Sequence, residues 1–206
     1  MHSQDSALIT FILDESGSMG HMAQAARDGF NEYLDEQVSH GGPTWWTLTT
    51  FNTRTNTRFA AIPGAEVRPL GDDYSPGGMT ALYDAVGRSI TKTQRYLERR
   101  GDDRPADVIV VILTDGMENA SRKWTARRVF DLITEAEDSG WQFVFLGANQ
   151  DSWAVAQDLG IRKGAVVDWA PNMASYDRAI DEAVAATTDY RTMKKQQTRY
   201  RDRRTK

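Results

Sequence analysis

Asp14, Ser16 and Ser18 stand at alternate positions directly behind an apolar run, Ala7-Leu8-Ile9-Thr10-Phe11-Ile12-Leu13. A carboxylate and two hydroxyls launched from the end of a buried strand make a small oxygen-lined cup, which suits a hard divalent cation. A second run of the same kind, Val108-Ile109-Val110-Val111-Ile112-Leu113, ends in Thr114-Asp115-Gly116. A third stretch, Gly77-Gly78-Met79-Thr80, sets a threonine just before a strong helical pattern. Two strand ends and one helix start can meet at a point if the strands are parallel neighbours. That makes Asp14, Ser16, Ser18, Thr80 and Asp115 the candidate metal ligands.

Each part also has a plainer reading. Ser16 and Ser18 could cap the helix that follows, Thr80 could be an N-cap, and Asp115-Gly116 could be an ordinary turn. Three independent accidents are disfavoured because all three stretches fall at the carboxyl-side edge of the expected sheet, where open α/β folds bind ligands.

The constellation Asp14-x-Ser16-x-Ser18, then Thr80, then Asp115, resembles the metal-ion-dependent adhesion site of von Willebrand factor A domains. The stretches Thr80-Ala81-Leu82-Tyr83-Asp84-Ala85 and Leu113-Thr114-Asp115-Gly116-Met117-Glu118-Asn119-Ala120-Ser121 resemble bacterial or phage intracellular members, and the likeness spans roughly residues 6 to 170. It implies that the hydroxyls of Ser16, Ser18 and Thr80 ligate Mg²⁺ or Mn²⁺ directly while Asp14 and Asp115 act largely through water. An inner shell of mostly neutral ligands leaves the ion electrophilic and able to accept a carboxylate. The implied partner is a protein presenting Asp or Glu to the metal. Bacterial intracellular members act beside ATPases, which adds an ATPase to the expected partners.

The elements that must position these residues alternate strand and helix. That order predicts a doubly wound, Rossmann-like α/β fold with a mainly parallel sheet and helices on both faces. Apolar positions at helical spacing begin at Met22, at Leu82, at Val129 and at Tyr176. Trp45–Phe51 and the stretch near Thr57–Ile62 lie close enough for an antiparallel hairpin, which makes the latter an edge strand. Trp141–Leu146 reads as a buried strand, and Asp151 as the cap of a short helix ending before Gly160. The six tryptophans sit on or beside patterned elements and are expected to pack in the core or at edges. Asp84 is either a buttress of the site or a solvent-facing residue. Glu118 and Asn119 either rim the socket or cap the helix region from Trp124 to Asp138.

The chain of 206 residues, 40% hydrophobic and 26% charged, has the composition of one globular domain with a sizeable core. It has no cysteine, so disulfides and thiolate metal sites are excluded. The first residues lack a basic leader and the apolar run behind them is too short to span a membrane. A cytoplasmic location without membrane contact is therefore expected. Residues 190–206 hold eight Lys or Arg and one acid, whereas residues 1–189 carry 17 bases and 28 acids. This divides the chain into a single acidic domain, 1–189, and a basic tail or helix extension, 190–206. The tail reads first as a solvated helix end folding back on its body, and second as an arm for nucleic acid, phosphate or an acidic partner.

Catalysis fits the residues less well. A serine hydrolase would need a histidine after the acid, yet His2, His21 and His40 all precede Asp115. A phosphatase built on Asp14 would need a second acid where Ser16 stands. Neither G-x-x-x-x-G-K-[ST] nor G-x-G-x-x-G occurs, which argues against nucleotide binding. The expectation is a metal-dependent protein-interaction module without enzymatic activity. A metal-dependent hydrolase and a nucleic-acid-associated protein are the alternatives.

Overall fold

A computed structural model describes residues 5–148, 152–170 and 172–204. Six strands, β1 (Ala7–Asp14), β2 (Thr44–Phe51), β3 (Thr55–Pro63), β4 (Asp107–Thr114), β5 (Gln142–Ala148) and β6 (Val166–Trp169), form one sheet in the order β3-β2-β1-β4-β5-β6. All neighbours are parallel except β2 and β3, which form the antiparallel hairpin at one edge. The continuous β-branched run of β4 is buried at every position, as a central strand covered on both faces must be. The edge strand β3 is only partly buried.

Among the described residues five α-helices cover the sheet: α1 (Ala23–Ser39), α2 (Leu82–Arg100), α3 (Ala126–Asp138), α4 (Ser152–Asp158) and α5 (Met173–Arg204). Alternation along the strands sorts the core into two layers. Ile9, Phe11 and Leu13 join Ile109, Val111 and Leu113 under α1 and α5. Leu8 and Ile12 join Val110 and Ile112 under α2, α3 and α4. Trp46, Trp141 and Trp169 are buried, in keeping with packing roles. Asp151, expected to cap α4, lies outside the described residues.

The last helix runs on into the basic segment 190–206, which the sequence leaves as a tail or a helix extension. Its apolar stripe runs from Tyr176 to Thr187, and the helix itself continues without a break across residue 190 to Arg204. Tyr33 and Thr187 share a hydrogen bond of 2.7 Å. The buried Arg191 guanidinium donates to the backbone oxygens of Gln37 and Gly41 at 2.7 and 2.8 Å, and to the Gln37 side chain at 3.0 Å. Arg191 therefore satisfies carbonyls at the end of α1, where the helix leaves acceptors without partners and the dipole favours a cation.

The chain order reverses direction at β1 and β4. From β1 the chain winds outward to β2 and β3, then α2 carries it back across to β4 on the other side. Their register pairs Leu13 with Leu113, so Asp14 and Thr114 emerge side by side at the carboxyl edge. That crevice is the ligand position of open α/β sheets.

Candidate metal centre

Asp14 ends β1 fully buried. Its carboxylate accepts a hydrogen bond from the Thr114 hydroxyl at 2.6 Å and from the Ser16 backbone N–H at 2.8 Å. Burial, which outweighs those hydrogen bonds and is reinforced by the charge of Asp115, pushes its pKa up to about 6. The Tyr74 hydroxyl donates to the Asp14 backbone oxygen. Ser16 and Ser18 hydroxyls lie 3.1 Å apart, and Ser18 donates to Asp115 at 2.6 Å across 97 residues of sequence. The Asp115 pKa is also raised, by burial first, against the opposing Ser18 hydrogen bond and the charge of His21.

Thr80 reaches the same point from the loop ahead of α2. A Cβ placed on Gly116 would lie 3.0 Å from the Thr80 hydroxyl oxygen and 3.5 Å from that of Ser18, so both hydroxyls face the Gly116 backbone closely and no larger residue fits without displacement. The Thr80 backbone is fixed at both ends. Its N–H donates to the Asn119 side chain at 2.9 Å, and its oxygen accepts from the N–H groups of Asn119 and Ala120. The loop before it is stapled to the end of β1 by Gly17 N–H to Gly78 oxygen, 3.0 Å, and Gly77 N–H to Glu15 oxygen, 2.9 Å. Glu15 also accepts from Arg58 at 2.9 Å and from the Ser75 N–H at 2.8 Å.

All five sequence-derived candidates are thus brought together by the crossover between β1 and β4. The plainer capping readings fail for the hydroxyls: Ser16, the N-cap of the 3-10 turn Gly17–Met22, makes no cap bond, and the N-cap positions of α1 and α2 are Met22 and Ala81. Glu118 and Asn119 do not cap α3, because Thr125 does so by accepting from the Arg128 N–H. They serve the start of α2 instead, with the Glu118 carboxylate accepting from the Tyr83 N–H at 2.9 Å and from Ser121 at 2.7 Å. Asp84 does not simply face solvent but ties the start of α2 to the loop after β4. Its carboxylate collects the N–H groups of Arg122, Lys123 and Trp124, and although burial alone would raise its pKa, those bonds and the charge of Lys123 hold it below the ordinary value.

Two further contributors escaped the sequence reading. Thr114 is legible in hindsight as the register twin of Asp14, but Tyr74 sits in a segment that shows only loop character. The donor set, two carboxylates and three hydroxyls, matches the oxygen preference of Mg²⁺ and Mn²⁺. Among the described residues no group of three or more His, Cys, Asp or Glu side chains is placed to hold a metal, and this site combines only two carboxylates with its hydroxyls.

The six-stranded sheet with helices on both faces has the α/β fold of solved von Willebrand factor A domains. No family model and no curated protein sequence matches the chain, so the likeness is one of structure. The chain is similar to proximal thread matrix protein 1 from the mussel byssus, with 16% identity, a TM-score of 0.59 and coverage of 89% of this chain and 46% of that one. It thus spans about half the length of that protein. It is also similar to the manganese-loaded TRAP protein of Plasmodium vivax, at 14% identity and a TM-score of 0.54 over 88% of this chain and 74% of that one. The SpRpn10 VWA domain is matched at 12% identity and a TM-score of 0.57, over 86% of this chain and 94% of that domain.

Proposed function

We propose that this chain is a divalent-metal-dependent protein-interaction module in which Mg²⁺ or Mn²⁺ is held by the hydroxyls of Ser16, Ser18 and Thr80, with Asp14 and Asp115 in support. The observation that carries this reading is the convergence of three hydroxyls that cap no helix on two carboxylates whose burial is costly without a cation. A manganese-loaded structure sharing the fold supports it. The ion, when bound, supplies a coordination position for an Asp or Glu oxygen of a partner.

The chain's own residues prepare that position. Thr114 and the Ser16 N–H orient Asp14, Ser18 orients Asp115, and Asn119 fixes Thr80. The reading includes no catalysis: His21 is bonded through Nδ1 to the Ser18 backbone oxygen rather than to a serine hydroxyl, so no activated nucleophile is formed there. Among the described residues no helix is long and apolar enough to cross a membrane.

Calorimetric titration of Mn²⁺ tests the site. Wild type should bind one ion, and Asp115→Ala and Thr80→Ala should weaken binding while circular dichroism stays unchanged. Equal affinity in all three proteins would overturn the assignment.

A further inference from the structure

Beside the metal centre, an open groove of about 890 Å³ runs between the β2–β3 turn, α2 and the loop after β4. Six cations line it, Arg54, Arg88, Lys92, Arg95, Arg122 and Lys123, and every one is exposed. Among the described residues none of them is in an ion pair. Asp84 is the groove's single acid, and its carboxylate is engaged by the backbone of the loop that carries Arg122 and Lys123. The acid therefore helps place two of the cations and offsets one of the six positive charges, so the groove stays strongly positive. Burial and the neighbouring charge of Arg88 depress the pKa of Lys92, as expected where like charges are crowded.

This concentration stands on a body whose residues 1–189 hold an excess of acids, so it is not an extension of a generally basic surface. Arg88, Lys92 and Arg95 follow helical spacing along α2, and Arg99 continues the line in an adjoining cleft that shares Lys92 and Arg95. From Arg88 to Arg99 the track is about 16 Å long, which an extended segment covers in about five residues.

We propose that this groove binds an acidic, extended segment of a partner protein, with carboxylates at alternate positions facing the α2 cations. The near end of the groove adjoins the metal centre, since Thr53 in its wall accepts the Met79 N–H next to Thr80. One segment can thus span both, its leading carboxylate completing the metal shell. That placement rests on the reading given above, whereas anion binding in the groove does not. A nucleic acid strand fits less well. The aromatic faces it would stack on are covered, Trp124 by Arg128 at 4.4 Å and Tyr96 by Arg100 at 5.8 Å.

The test is fluorescence anisotropy with the full chain and a labelled peptide of eight glutamates, against a thymidine octanucleotide, at low salt. Each probe is measured once in EDTA and once in Mg²⁺. Two variants alter opposite walls, Arg88→Gln with Arg95→Gln, and Arg122→Gln with Lys123→Gln. The glutamate peptide should bind wild type more tightly than the oligonucleotide does, and weaken about tenfold in each double variant in either buffer. Both variants should keep the wild-type melting temperature and Mn²⁺ affinity. Peptide binding unchanged in both variants, or tighter binding of the oligonucleotide that is lost in both, overturns the proposal. Added Mg²⁺ that fails to strengthen peptide binding counts against the metal reading alone, because loss in the double variants measured in EDTA still supports the groove.

Discussion

At the scale of single residues, Asp14 sets the tension between stability and binding. In the fold its pKa is about 6 against an ordinary 3.8. The native chain therefore holds this proton more tightly than the unfolded one, and the stability it brings is complete below the ordinary value and lost as pH rises through about 6. At 1.36 kcal/mol per pH unit, ionised Asp14 costs the metal-free fold about 3 kcal/mol. Asp14→Asn should thus raise metal-free stability at pH 8 in urea unfolding and give no gain at pH 4, while abolishing the stabilisation by Mg²⁺. A variant less stable than wild type at pH 8 would contradict this account. The five candidate ligands were legible because residue type and spacing at strand ends reveal oxygen donors. Tyr74 and the backbone partners of Glu118 were not, because contacts between loops leave no periodicity in a single sequence.

At the scale of elements, the start of α2 is held from outside by the segment after β4. Glu118→Ala removes the acceptor for the Tyr83, Ala120 and Ser121 N–H groups without touching a candidate ligand. It should cost about 1–3 kcal/mol and weaken Mn²⁺ binding through displacement of Thr80, seen together in thermal unfolding and calorimetry. Full metal affinity in a destabilised Glu118→Ala would separate the two roles. The end of α1 offers a second case. Arg191→Met keeps the aliphatic stem but leaves the Gln37 and Gly41 carbonyls without their donor. Amide exchange should then speed up in the last turns of α5 and far less in β1 and β4. Strands and their parallel order could be read from β-branched runs and alternation, since burial on both faces dictates them. The length of α5 could not, because beyond Thr187 its apolar stripe gives way to charged residues and only tertiary contacts such as Arg191 mark its path.

At the scale of the whole molecule, metal and fold are linked. Saturating the site at about 100 times its dissociation constant should stabilise the chain by roughly 2.7 kcal/mol, raising the melting temperature by about 5–10 °C over the same protein in EDTA. No shift with either Mg²⁺ or Mn²⁺ would detach the site from the fold. The two-layer core also orders events in time. β1 leaves the ribosome well before Tyr176 and Ile180 of α5, which close the layer holding Phe11, Ile109 and Leu146 and emerge some 165 residues later. At about 5–20 residues per second, that side of the sheet waits roughly 10–30 s with its aliphatic surface incompletely shielded during synthesis. Throughout that interval the nascent chain presents the sticky face that chaperones recognise.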